Sequence, residues 1–149
     1  MSNNHRILII GSGPSAIGNE NEADGAAFQI ISQLKRHGFH VVLVDDNAFS
    51  VTLTQLSAKE VIVKPINYQN IDRAIQTVRP RFLLPILGGP RAMKITQRLW
   101  NSGALNKYQV HILGISIPAL QTSAQPLRLV QVIRQSHEKP VPSQIISSV

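Results

Sequence analysis

Short runs of apolar residues alternate along the chain with longer stretches in which apolar residues recur every three or four positions. The short runs are typical of buried parallel strands, because such strands are covered on both faces and therefore lack strict alternation with polar residues. The predicted strands are Arg6–Ile10, His40–Val44, Glu60–Val63, Phe82–Ile86 and Val110–Leu113.

The stretches between and after these runs predict helices. The predicted helices are Ala26–His37, a helix capped by Asn67 that ends at Val78, Pro90–Ser102 and Leu127–Ser136. Asn67 is a favourable N-cap and Pro90 suits a first turn, whereas Gly38 and Gly103 suit helix ends. This order of strands and helices predicts an α/β fold with a doubly wound, mostly parallel sheet and helices on both faces.

The length of 149 residues fits a single ordinary domain. We expect this domain to span residues 1–136, because residues 137–149 are rich in Pro, Ser and Gln and resemble a tail or linker. The chain has no cysteine, which excludes disulfides, thiolate nucleophiles and cysteine zinc sites. No apolar stretch reaches the roughly 20 residues of a membrane span, and the first residues lack a secretion signal. We therefore expect a cytoplasmic protein with no membrane partner.

Charge is distributed unevenly along the chain. Residues 1–75 hold six Lys and Arg against seven Asp and Glu, whereas residues 76–149 hold nine against one. Such an excess attracts anionic partners. The basic residues stand singly with few aromatic residues beside them in sequence, so nucleic acid is not expected. A solvated face and a face that meets an acidic neighbour both remain open.

A glycine-rich loop, residues 11–18, directly follows the first predicted strand. Glycines permit a sharp turn and a close approach to a phosphate or to another backbone segment. The loop loosely matches a dinucleotide fingerprint, but Pro14 lacks an N–H donor and Asp45 follows by nearly 30 residues instead of the ~20 that is typical. The pattern leaves open a dinucleotide site and a tight turn that packs against a neighbouring element.

A second glycine turn, Gly88-Gly89, follows the fourth predicted strand and opens a helix. Both glycine turns fall at carboxyl ends of strands, the edge at which open α/β sheets bind ligands. Between the two turns, Glu20, Glu22 and Asp24 are expected in an acidic loop that is compatible with a bound cation or with simple hydration. The candidate cofactor-binding residues are Gly11, Gly13, Gly18, Asp45, Asn47, Gly88 and Gly89.

None of the five histidines has a serine and a carboxylate near it in a recognisable arrangement, so no catalytic residue and no metal ligand is predicted. The histidines are expected to be surface residues.

Several segments, taken in order, resemble the start of a carbamoyl phosphate synthase large subunit. They are Arg6–Gly18, Glu22-x-Asp24, Val41–Asn47, Lys64-Pro65-Ile66, Arg79-Pro80, Leu84-Pro85-x-x-Gly88-Gly89 and Ile112-Leu113-Gly114. The resemblance covers nearly the whole chain. It implies a Rossmann-like pre-ATP-grasp domain, with Glu22 and Asp24 as the acids of a family motif. In that family the ATP-grasp part handles most of the ATP, bicarbonate and carbamate chemistry.

The chain departs from the family pattern at several positions. Pro90 and Arg91 replace the glutamine and threonine that follow the two glycines in the family. The arginine that helps to bind nucleotide in the family falls on Pro126 or Leu127, and Glu20 occupies a usually small position in a tunnel-lining loop. The resemblance therefore implies ATP binding only together with an ATP-grasp partner, and no cofactor is expected otherwise.

The main hypothesis is a stand-alone or truncated pre-ATP-grasp domain. We expect it to be inactive alone and to act as a structural, docking or regulatory module. Its expected partners are an ATP-grasp protein or a second copy of the chain in a homodimer. One part of a split ATP-dependent ligase is an alternative, and an independent nucleotide or dinucleotide binder is another.

Overall fold

The structure, a computed structural model, describes residues 5–11, 20–50, 52–53, 56–57, 59–123, 125–140 and 142. The chain divides into two compact units, Met1–Ser116 and Ile117–Val149. The predicted boundary after residue 136 stays a prediction.

The first unit is built on a five-stranded parallel sheet. Its strands are β1 (Arg6–Ile10), β2 (His40–Asp45), β3 (Val61–Val63), β4 (Phe82–Leu84) and β5 (His111–Ile112). They lie in the order β3-β2-β1-β4-β5, and every neighbouring pair is parallel. The chain therefore moves outward from β1 in one direction and then in the other, which confirms the predicted doubly wound α/β fold.

Six helices are present in the described part of the chain. The first unit contains α1 (Glu20–Arg36), α2 (Tyr68–Val78), α3 (Gly89–Asn101) and α4 (Ala104–Lys107), and the second contains α5 (Ile117–Ser123) and α6 (Pro126–Gln135). The sequence patterns predict α2, α3 and α6 to within about a residue at each end. They miss α4 and α5, which are too short to show a helical period.

The predicted acidic loop before Ala26 is wrong, because α1 begins at Glu20 and its backbone carries Glu20, Glu22 and Asp24 in its first turns. Acidic residues are favourable near a helix N-terminus, where the helix dipole is positive. A single glycine at position 25 costs a helix only about 1 kcal/mol, which does not end it.

The core lies on both faces of the sheet because the strands alternate their side chains between two sets of helices. On one face, Leu8, Val42 and Leu83 pack beneath α2, α3 and α4. On the other face, Ile7, Ile9 and Leu43 pack with Ile31 of α1. Burial of both faces explains why the strands are continuous apolar runs.

Two glycines end helices as predicted. Gly38 follows α1 with φ of 79°, and Gly103 follows α3 with φ of 76°. The N–H of Gly103 donates to the carbonyl of Trp100 at 3.0 Å. Strand β4 is shorter than predicted, because Pro85 ends the pairing and Ile86–Gly88 forms a 3₁₀ turn.

In the second unit, α5 and α6 contact each other. Helix α6 leaves Leu127, Leu129 and Val132 exposed. Among the residues that the structure describes, no helix combines the length and the apolar character needed to cross a membrane.

Candidate functional site

Five of the seven candidate cofactor-binding residues meet at the carboxyl edge of the sheet, as the topology requires. Gly11 follows β1, Asp45 ends β2 and Asn47 follows it, and Gly88 and Gly89 join the 3₁₀ turn after β4 to α3. Strand β1 lies between β2 and β4, so the three loops are neighbours. Gly13 and Gly18 lie outside the described residues.

The two glycine turns lie directly against each other. A Cβ atom added to Gly88 would lie 2.2 Å from the carbonyl oxygen of Ile10 and 2.7 Å from the Cβ of Ala92. A Cβ atom added to Gly11 would lie 2.9 Å from the Cα of Gly88. Glycine is therefore needed at both positions so that one backbone segment can approach the other. Both residues are buried.

Backbone conformation gives a second reason for glycine in these turns. Gly11 has φ of 72°, and its N–H donates to the carbonyl of Val44 at 2.7 Å. Gly89 has φ of 62° and ψ of −156°, a combination found essentially only in glycine. The space between Gly11 and Gly88 is thus filled by protein backbone.

Asp45 and Asn47 form consecutive turns after β2. Asp45 is 2% exposed, and its Oδ1 accepts a hydrogen bond from the N–H of Asn47 at 2.9 Å. The Oδ1 of Asn47 in turn accepts from the N–H of Phe49 at 3.0 Å. These are local bonds between a side chain and the backbone two residues on. They hold Phe49 at the edge with its side chain 94% exposed.

An ion pair that the sequence patterns did not predict links two of these loops. The Nη1 of Arg91, in the first turn of α3, lies 2.5 Å from the Oδ2 of Asp46. The resemblance implies threonine at the position of Arg91, so this ion pair accompanies a departure from the family pattern. The sequence does contain a signal for this pair. Two adjacent acids, Asp45 and Asp46, follow one predicted strand, and Arg91 lies in the first turn of the helix after another. Only the strand order shows that the loop of Asp46 and the helix of Arg91 are close enough to form an ion pair.

The two acids of the family motif, Glu22 and Asp24, lie in the first turns of α1, and only their backbone is described. Within the described ranges, no three His, Asp or Glu side chains are grouped closely enough to hold a metal ion. Among the residues described at the carboxyl edge, the notable features are the close backbone contact of the two glycine turns, the Asp46–Arg91 ion pair, the exposed Phe49 and Ile86, which is 46% exposed.

Comparison with known proteins gives a consistent result. Residues 3–122 match the carbamoyl phosphate synthase pre-ATP-grasp domain family. The carbamoyl phosphate synthase arginine-specific large chain of Lactiplantibacillus plantarum is 30% identical over 139 residues, which are 93% of this chain and 14% of that protein. The carbamoyl phosphate synthase large chain of Rubrobacter xylanophilus is 35% identical over 133 residues, 89% of this chain and 12% of that protein.

This chain thus spans about an eighth of the length of these relatives. The family match covers the whole parallel sheet, both glycine turns and the Asp46–Arg91 pair. The chain belongs to the carbamoyl phosphate synthase pre-ATP-grasp domain family.

Proposed function

We propose that this chain is a pre-ATP-grasp module without catalytic activity of its own, which acts by docking through its carboxyl edge onto an ATP-grasp protein. The observation that carries the proposal is the closure of the two glycine turns on each other. Gly11 and Gly88 lie so close together that a Cβ atom on Gly88 would meet the carbonyl oxygen of Ile10 at 2.2 Å, which leaves no room for a ligand between these two residues. An edge packed in this way is suited to meet a protein surface.

The exposed apolar residues support the position of the docking face. Phe49 is 94% exposed and Ile86 is 46% exposed, and both belong to loops at the carboxyl edge. A large exposed aromatic side chain is typical of the central contact of a protein interface. The Asp46–Arg91 pair links the loops after β2 and β4, which are the two loops that carry these exposed residues.

The activity test uses the purified chain alone and then with a partner fragment. The fragment is the large chain of the Lactiplantibacillus plantarum relative without the region that matches this chain. We expect no bicarbonate-dependent ATP hydrolysis and no carbamoyl phosphate from the chain alone, and binding to the fragment by calorimetry. Activity of the chain alone, checked against contamination, would overturn the proposal, and so would the absence of binding.

The docking face is tested with Phe49→Ser. This change removes an aromatic contact from a solvent-exposed position, so we expect about a tenfold loss of affinity for the fragment and unchanged thermal stability. Ile30→Ser is the matched control, since Ile30 is an exposed apolar residue of α1 away from this edge. Equal losses for both variants would contradict docking through the carboxyl edge.

The same mixture distinguishes the second candidate function, one part of a split ligase. The family match favours this alternative, because the matching region of the Lactiplantibacillus plantarum relative is one part of a much longer large chain. If addition of the chain restores carbamoyl phosphate synthesis to the fragment, the chain is an enzyme part. If binding occurs without synthesis, its role is structural or regulatory.

Independent nucleotide binding is tested by titrating the chain with ATP and with NAD. The closed glycine turns and Leu127, which stands at or beside the position of the family's nucleotide-binding arginine, predict dissociation constants of about 1 mM or weaker. A low-micromolar constant for either nucleotide would show that the chain is a nucleotide binder.

A further inference from the structure

The opposite end of the sheet, where the strands begin, carries a row of basic side chains. Arg6 pairs in register with His40 of β2, and the N–H of Arg81 donates to the carbonyl of Arg6 at 2.9 Å. Adjacent strands are about 4.8 Å apart. Because side chains alternate along a strand, all three project on the face that buries Leu8, Val42 and Leu83.

Two further cations lie at the same end, where the helices of that face terminate. Arg79 follows α2 and Lys107 ends α4. The guanidinium carbon of Arg79 lies 5.0 Å from the ring centre of Tyr108, and the Nζ of Lys107 lies 5.2 Å from it. We call Arg6, His40, Arg79, Arg81 and Lys107 the basic cluster.

Within the described part of the chain, none of these five side chains forms an ion pair with a carboxylate. The guanidinium of Arg6 donates to the carbonyl of Val78, and the Nε of Arg79 donates to the carbonyl of Gln76. Glu60, a carboxylate near the start of β3, binds Lys35 and Ser57 instead.

Helix dipoles explain only part of this arrangement. Cations beside helix C-termini are favourable, which accounts for Arg79 and Lys107. Arg6, His40 and Arg81 begin strands, and basic side chains in neighbouring register positions repel one another when charged. A row of basic side chains in neighbouring register positions, without a described acidic partner, is explained if an anionic ligand covers it.

We propose that the basic cluster is a binding surface for an acidic protein segment, one with several aspartates or glutamates in succession. The planar guanidinium of arginine matches a carboxylate with two parallel hydrogen bonds. His40, Arg79, Arg81 and Lys107 are all exposed. This surface lies at the opposite end of the strands from the docking face, so it is independent of the proposed function.

The aromatic residues at this end favour an acidic protein segment over single-stranded nucleic acid. Nucleic-acid binders of that kind stack bases on open aromatic faces. The ring of Tyr108 is approached by two cations of the chain itself. The rings of Phe39 and Phe82 are half-buried and meet at 75°, so they do not form a flat platform.

The test measures binding of a fluorescein-labelled decaglutamate peptide to the full chain by fluorescence anisotropy. We expect binding at low salt that is lost at about 0.5 M salt, and at least about a tenfold loss of affinity in the double variant Arg81→Glu, Lys107→Glu. The control is Arg73→Glu with Lys94→Glu, which makes the same charge change at exposed residues outside the cluster. We expect the control to lose less than about threefold.

Amide chemical shifts of the unsubstituted chain give a second measurement that needs no variant. With the peptide, the largest shifts are expected at residues 6, 40, 79–81 and 107. A ten-nucleotide uridine RNA serves as the competing ligand. The proposal is overturned if the peptide does not bind, if both double variants lose affinity equally, if the shifts map elsewhere, or if the RNA binds more tightly at the same residues.

Discussion

At the scale of single residues, Gly88 has the tightest surroundings of the glycines described above. Gly88→Ala places a Cβ against the Ile10 carbonyl and the Ala92 side chain. Overpacking of this kind costs about 1–3 kcal/mol, so we expect the free energy of unfolding to fall by that amount in urea denaturation. Gly25→Ala is the control, because nothing lies within 4 Å of an added Cβ in α1. That variant is expected to gain up to about 1 kcal/mol, and similar losses in both would disprove the close contact.

Glu60 is the carboxylate whose titration is altered by its neighbours. Partial burial raises its pKa, but hydrogen bonds from the N–H and hydroxyl of Ser57, and the hydrogen bond and charge of Lys35, outweigh burial and lower the pKa below the ordinary value of a glutamate. A lowered pKa in the folded state stabilises the protein above the ordinary pKa, and this stabilisation is lost as the pH falls through the folded-state value.

Glu60→Gln is therefore expected to lower the free energy of unfolding at pH 7 by at most about 1 kcal/mol, since Glu60 and its partner Lys35 are both only partly buried. The difference from the unsubstituted chain should shrink between pH 7 and pH 3, because a lowered folded-state pKa stabilises the protein only where the carboxylate is ionised. Urea denaturation at both pH values measures it, with Glu138→Gln as a control of equal charge in the second unit. A difference that does not depend on pH would contradict the lowered pKa.

At the scale of secondary-structure elements, α2 shows how closely a local pattern can predict a structure. Asn67 is the N-cap, and its Oδ1 accepts from the N–H of Asn70 at 2.9 Å. Ile71, Ala74 and Ile75 form its buried face. Both features depend on residues near one another in sequence, which is why the spacing predicts this helix almost to the residue.

We expect Asn67→Ala to lower the free energy of unfolding by about 1 kcal/mol, because the N–H of Asn70 in the first turn of α2 loses its side-chain acceptor. Asn67→Ser keeps an acceptor and should lose only a few tenths of a kcal/mol. Thermal denaturation of the two variants measures the difference, and equal stability of both would show that the cap does not contribute.

Other elements depend on distant parts of the chain, and the sequence patterns predict them less well. The sequence predicts that both glycine turns lie at one edge, but only the strand order shows that Gly88 lies against Ile10. The Asp46–Arg91 pair spans 45 positions, beyond any local period. The start of α1 was missed because its first turns are polar and carry no apolar stripe.

At the scale of the whole molecule, α3 presents an exposed aromatic residue that suits a contact between two copies of the chain. Leu99 of this helix belongs to the core, whereas Trp100 is 36% exposed. Without a partner we expect a homodimer that buries on the order of 1,200 Å², measured by light scattering at several concentrations. Trp100→Lys should give monomers and Ile30→Lys should not. A monomer at all concentrations would contradict self-association.

The division into two compact units has a consequence for spectroscopy. The single tryptophan, both tyrosines and all four phenylalanines precede residue 117, so Ile117–Val149 has no aromatic chromophore. Intrinsic fluorescence and near-ultraviolet dichroism originate in the first unit, whereas far-ultraviolet dichroism also includes α5 and α6. If the second unit melts first, helical signal is lost while tryptophan emission is unchanged. The order of the two melting curves therefore reports how independently the units unfold.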